Sequence, residues 1–149
     1  MVELYTDGSC KKVKGEWVYR IGWGFVAVEN DIKLHESYGR LCGPADLMAQ
    51  RNVAGEMKAV LNAVKWASQE HEEFKIYYDY KGVYNWALGY WVARNEYTEA
   101  YSEYIQSKMK KHIIHWEHVR GHSGNKWNEY ADGLAKNNTV GSTRRRCRG

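Results

Sequence analysis

The order of apolar periods along this chain constrains its fold more than any other feature. Val2–Thr6 and Gly22–Val28 are strand-like apolar runs, and Glu29-Asn30-Asp31 is a turn signal leading into a third strand around Lys33–Leu41. Between the first two, Lys11–Arg20 is polar and basic, as expected of a loop or hairpin tip. The period then changes. Ala54, Met57, Leu61 and Val64 recur at helical spacing from Val53 to about Ser68, with Asn52 in the position of an N-cap. Phe74–Tyr78 reads as a fourth strand, Lys81–Leu88 as a short helix, and Tyr97, Tyr101, Tyr104, Ile105 and Met109 mark another. Ile113–Val119 is a fifth strand, Gly121–Asn125 a loop, and Lys126–Asn137 a last helix. Three hairpin-linked strands followed by alternating helices and strands predict an α/β fold. Its five-stranded mixed sheet would have three antiparallel strands, then parallel additions, flanked by helices.

Parallel strands gather ligands at their carboxyl ends. Asp7 follows the first strand and Asp79 the fourth, Glu56 falls in the first turn of the long helix, and Asp132 sits on the last helix. Clustered carboxylates repel one another and are costly to bury unless cations fill the cluster. Hard oxygen ligands in that number suit Mg²⁺ or Mn²⁺, the ions of phosphodiester chemistry.

At 149 residues the chain is long enough for one domain, expected over residues 1–137, with a basic and mobile tail over 138–149. Arg144, Arg145, Arg146 and Arg148 supply four positive charges, which equals the formal net charge of +4, so the body is neutral. Affinity for a polyanion therefore has to come from local patches. Lys11, Lys12 and Lys14 form one candidate, and Lys108, Lys110, Lys111 and His112 another; each is equally a solvated face. Seven Trp and twelve Tyr against two Phe mostly fill the core and half-buried strand faces, with a few free to stack on bases or sugars. Cys10, Cys42 and Cys147 have no metal-ligand spacing and are odd in number, which argues against a disulfide framework and for a reducing compartment. No signal peptide and no membrane-length apolar run is evident, so a cytoplasmic location is expected, with no membrane contact.

Tyr5-Thr6-Asp7-Gly8-Ser9-Cys10, Arg51-Asn52-Val53-Ala54-Gly55-Glu56, Tyr78-Asp79 and Val119-Arg120-Gly121-His122-Ser123-Gly124, followed by Asn128-Glu129-Tyr130-Ala131-Asp132, resemble type 1 ribonuclease H in order and spacing over residues 2–137. The resemblance implies the ribonuclease H-like fold and an endoribonuclease that hydrolyses the RNA strand of RNA/DNA hybrids, leaving 5′-phosphate and 3′-hydroxyl ends. It makes Asp7, Glu56, Asp79 and Asp132 the ligands of two Mg²⁺ ions, with Mn²⁺ as a substitute. Asp7 would bridge both, Asp132 would complete the site of the attacking water, and Glu56 with Asp79 the site of the leaving oxygen. It gives His122, in its glycine-flanked loop, a role in proton transfer or product release, and makes Asn128, one turn before Asp132, a support for that carboxylate.

By the same resemblance Ser9, Cys10 and Asn52 contact the minor groove of the hybrid. Where the family often has serine and glutamine after the third carboxylate, this chain has Tyr80 and Lys81, so Lys81 is a candidate phosphate contact in place of a base contact. The long basic protrusion of some members is replaced by short, aromatic Trp86–Asn95, in which Trp86 and Trp91 either line a channel for the DNA strand or pack internally. The domain would then grip its substrate unaided, as a monomer without an obligate protein partner. Two other readings stay open: a nuclease of the same fold acting on another duplex, and a non-catalytic hybrid-binding module.

Overall fold

A computed structural model of the chain describes residues 1–13, 19–120 and 124–140. Its sheet has five strands in the order β3-β2-β1-β4-β5. Strands β1 (Val2–Lys12), β2 (Tyr19–Glu29) and β3 (Ile32–Leu41) pair antiparallel, while β4 (Glu73–Tyr78) and β5 (Ile113–His118) add in parallel beyond β1. The helices are α1 (Ala45–Met48), α2 (Asn52–Ala67), α3 (Lys81–Ala87), α4 (Glu96–Met109) and α5 (Lys126–Asn137). The expected five-stranded α/β architecture is present. Among the described residues no helix is long and apolar enough to cross a membrane.

Several boundaries differ from expectation, each for a physical reason. β1 runs on to Lys12, because Cys10, Lys11 and Lys12 pair with Ile21, Arg20 and Tyr19; the backbone ladder of a hairpin arm does not require apolar side chains. The turn after β2 has φ of 53° at Asn30 and 62° at Asp31, the left-handed pair that a tight two-residue hairpin needs and that Asn and Asp tolerate. α1 was not anticipated. It begins after Pro44, whose fixed φ suits a helix entry, and Gln50 and Arg51 donate to the carbonyls of Leu47 and Met48. The N-cap of α2 is Arg51, with φ 53°, and not Asn52; no side chain caps this end.

Strand alternation gives the sheet two apolar faces. Val2, Leu4, Ile21 and Phe25 pack under α2 and α4, and Tyr5, Val26, Val28 and Tyr77 pack on the opposite face against Ala131 of α5. Two glycines set how closely the helices approach. A Cβ on Gly8 would collide with the backbone of Gly55 and Glu56 in α2, and one on Gly22 with the Ala135 carbonyl of α5. The side chains of α5 moor it from outside: Trp127 Nε1 donates to Asp31 Oδ1 at 2.7 Å, and Tyr130 Oη to Glu36 Oε1 at 2.6 Å.

The proposed boundary at residue 137 needs correction. Asn138 and Thr139 are buried, and Arg40 of β3 donates from Nε to the Asn138 carbonyl and from Nη2 to the Val140 carbonyl, each at 2.8 Å. A buried guanidinium at the end of α5 both satisfies orphan carbonyls and opposes the helix dipole. Residues 138–140 are thus part of the domain; the arginine-rich remainder lies outside the described residues. Cys42 is disulfide-bonded and Cys10 is free. A disulfide is thus present where the scattered cysteines argued against a disulfide framework, since spacing in sequence does not report distance in space, and the argument for a reducing compartment is weakened with it.

Two outcomes test this packing. Gly22→Ala should lower the urea midpoint, costing about 1–3 kcal/mol, because the collision is with helix backbone. Deleting residues 138–149 should cost about as much, by leaving the Arg40 guanidinium buried without its carbonyl partners, whereas an unpacked tail would be removable at no cost.

Candidate active site

β1 and β4 run in register from Val2↔Phe74 to Tyr5↔Tyr77, and β4 ends one residue later at Tyr78. Asp79 follows immediately, and its carbonyl accepts a 2.7 Å hydrogen bond from His118 Nε2. Asp7 lies past the last parallel pair, but inside β1 and not at its end, because β1 continues along β2 with Asp7 opposite Gly24. A Cβ on Gly24 would strike the side chain of Leu134, so α5 passes over this position and brings Asp132 to Asp7. The contact of Gly8 with α2 brings Glu56 to the same place. All four carboxylates line one open cleft of about 470 Å³.

Asp7 and Glu56 are buried, and the carboxyl of Asp7 is within hydrogen-bonding reach of those of Glu56 and Asp132. Burial pushes the pKa of Asp7 up to about 7, with the Asp132 carboxyl adding to the rise and the Gly8 N–H, 2.9 Å from Oδ1, opposing it. Burial also drives Glu56 well above the usual carboxylate range, followed by the charge of Asp7. Both carboxyls are pushed up because two acids this close in a low-dielectric site resist being charged together. Lys136 Nζ stands 2.9 Å from Asp132 Oδ2, one helical turn on, a partly exposed pair of modest strength.

The donor set suits hard divalent cations: oxygen ligands only, more negative charge than the protein itself neutralises. Glu56 Oε2 is buried with no hydrogen-bond partner, an orphan oxygen that a cation would satisfy. Among the described residues no three His, Cys, Asp or Glu side chains already stand in coordinating geometry.

Ser9, Cys10, Asn52 and Asn128 also line the cleft. Lys81, Trp86 and Trp91 do not. Lys81 is exposed at the start of α3. Trp86 and Trp91 meet edge to face at 5.6 Å, with the Tyr80 ring 6.0 Å from Trp86, and line a separate depression with Tyr90 and Arg94. His122 lies outside the described residues. Lys12, from the basic patch expected to offer local positive charge, lines the cleft; the sequence reading missed Tyr19, Arg51 and Lys136, which complete its positive and aromatic rim. The guanidinium of Arg51 sits 4.6 Å from the centroid of the Tyr19 ring. Only the lysine spaced four residues after Asp132 carried a local signal; the others come together through the hairpin and the α1–α2 turn.

Residues 1–140 match the ribonuclease H family. The chain is 32% identical to the ribonuclease H of Janthinobacterium sp. strain Marseille, over 90% of this chain and 92% of that protein. It is 31% identical to the ribonuclease H of Hahella chejuensis, over 90% of each. The fold is similar to the N-terminal RNase H domain of rv2228c from Mycobacterium tuberculosis, with a TM-score of 0.73 at 22% identity, covering 93% of this chain and 92% of that one. It is also similar to LC11-RNase H1, solved in complex with an RNA/DNA hybrid, with a TM-score of 0.71 at 16% identity, covering 93% and 96%.

The raised pKa of Asp7 has a consequence for stability. Its folded value of about 7 exceeds the ordinary 3.8, so the folded state holds the extra proton and metal-free stability falls as pH rises between those values. Asp7→Asn should therefore melt above wild type in chelator at about pH 8, by about 1–3 kcal/mol, with the gap closing toward about pH 4. Thermal melts across that range give the sign directly.

Proposed function

The chain belongs to the ribonuclease H family, and from that premise we propose that it is a metal-dependent endoribonuclease cutting the RNA strand of RNA/DNA hybrids to leave 5′-phosphate and 3′-hydroxyl ends. The observation that carries this reading is the convergence of Asp7, Glu56, Asp79 and Asp132 on one cleft, with an orphan Glu56 oxygen at its base. Those four would hold two Mg²⁺ or Mn²⁺ ions, which when bound stabilise charge on the attacking and leaving oxygens. Asp7, in reach of both Glu56 and Asp132, is the carboxylate best placed to serve both.

The remaining roles belong to the protein. Glu56 must give up its proton before the site can bind cations, so binding should release protons. Lys12 and Arg51 offset substrate phosphates at a rim that would otherwise repel them. Ser9 and Asn52 place polar groups where a 2′-hydroxyl distinguishes RNA from DNA. Asn128, buried in the cleft wall one turn before Asp132, limits how far that side of the site can move. His122 is the proposed proton carrier or product-release residue. The relatives named ribonuclease H and the hybrid bound to LC11-RNase H1 support the choice of substrate.

The deciding experiment incubates RNA/DNA hybrid, double-stranded RNA and double-stranded DNA with the protein, with and without Mg²⁺. The RNA of the hybrid alone should be cut, and only with the ion. Asp7→Asn should lose roughly a thousandfold in rate while keeping its fold, since each 1.4 kcal/mol of lost transition-state stabilisation is about tenfold; a variant above about a tenth of wild-type rate overturns the assignment. His122→Ala should slow kcat by up to about 10²–10⁴-fold while hybrid affinity in Ca²⁺ stays near wild type.

A further inference from the structure

On the side of α2 that faces α4, the structure holds a second groove, of about 400 Å³, unrelated to the carboxylates. Its floor and far wall are apolar: Met57 and Leu61 from α2, Leu47 from α1, and Tyr97 and Tyr104 from α4. Its near rim is cationic. Lys58 and Lys65 of α2 are seven residues apart, so they share a helix face and lie roughly 10 Å apart along the axis. Asn62 stands between them. Lys58 is half-buried, and among the described residues neither lysine has an ion-pair or hydrogen-bond partner. Asp46, beside Tyr97, is engaged by the Tyr97 hydroxyl at 2.9 Å.

A half-buried Lys58 and an exposed Lys65 beside an open trough of half-buried apolar side chains gain most when covered by something both apolar and anionic. We propose that this groove docks a short acidic and apolar peptide segment of a partner protein. In a polyproline II conformation, with three residues per turn and about 3.1 Å rise, residues three apart share a face and lie about 9 Å apart, so two carboxylates at that spacing meet Lys58 and Lys65 together while a residue between them enters the trough. A fatty acid offers one anionic head for two cations. A nucleic acid has no apolar face for Met57 and Leu61. A second copy pairing the same surface would oppose lysine to lysine. The docking surface does not depend on the proposed nuclease chemistry, and none of its residues lines the carboxylate cleft.

The test uses the whole chain and a fluorescein-labelled, end-capped peptide Asp-Leu-Phe-Asp-Leu, read by anisotropy, with amide NMR shifts to locate it. The peptide should bind, and shifts should concentrate at Leu61, Tyr97 and Tyr104. Lys58→Glu combined with Lys65→Glu should weaken binding by at least about tenfold, and Leu61→Ala should weaken it separately. Hybrid cleavage by the same variants should match wild type, which reports an intact fold and separates failure here from failure of the nuclease reading. No binding, equal binding of the Asn-for-Asp twin, equal binding of penta-Asp, unaffected binding in both variants, or shifts confined to the carboxylate cleft would each overturn the proposal. Lysine-sensitive self-association in sedimentation would assign the groove to a second copy, and overturn it as well.

Discussion

The contact of Gly8 in β1 with Gly55 and Glu56 in α2 is the constraint on which the site depends. Strand and helix backbones touch there with no side chain between them. A Cβ at Gly8 would drive them apart and carry Glu56 away from Asp7. On the opposite face, Gly22 and Gly24 do the same for α5, so that Ala131 and Ala135 bury against the sheet and Asp132 arrives above Asp7. Three elements are thus pressed together at the one place where each carries an acid.

That packing has an electrostatic cost. Asp7 and Glu56 lose water faster than they gain partners, and both are driven toward the protonated state. The fold holds them anyway because the cost falls on elements anchored elsewhere. α5 is fastened by Trp127 to the hairpin turn, by Tyr130 to β3, and at its far end by Arg40. α2 is fixed by a row of fully buried residues, Ala59, Val60, Ala63, Val64 and Ala67, beneath the sheet. Strain at a site is affordable where distant packing over-determines it. Arg51, at φ 53° on the edge of the cleft, is a second instance.

The two faces of α2 divide the labour. Its second turn gives Glu56 to the cleft, while Lys58, Leu61 and Lys65 further along face the groove against α4. The aromatic set of Tyr80, Trp86 and Trp91 stands apart from both, with Trp91 meeting Tyr80 and Trp86 edge to face and Tyr80 tilted against Trp86. A ligand reaching those rings must therefore meet them as one surface, not as separate stacking plates.

The alternation of apolar periods was enough to place five strands and the last helix to the residue, because period and turn chemistry are local properties. Sequence also suggested that the four acids belong together, since isolated carboxylates do not call for cations and clustered ones do. Tertiary structure alone decided the rest. Asp7 sits inside a strand because β2 extends β1 past the polar residues that looked like a loop. Asn138 to Val140 belong to the domain because Arg40, ninety-eight residues before Asn138, reaches their carbonyls. Arg51, Tyr19 and Lys12 meet at the cleft only after the hairpin and the α1–α2 turn have formed. Local pattern fixes which residues face a core, but contacts between distant elements are set by where backbones can touch, and here that was settled by the space left at a few glycines.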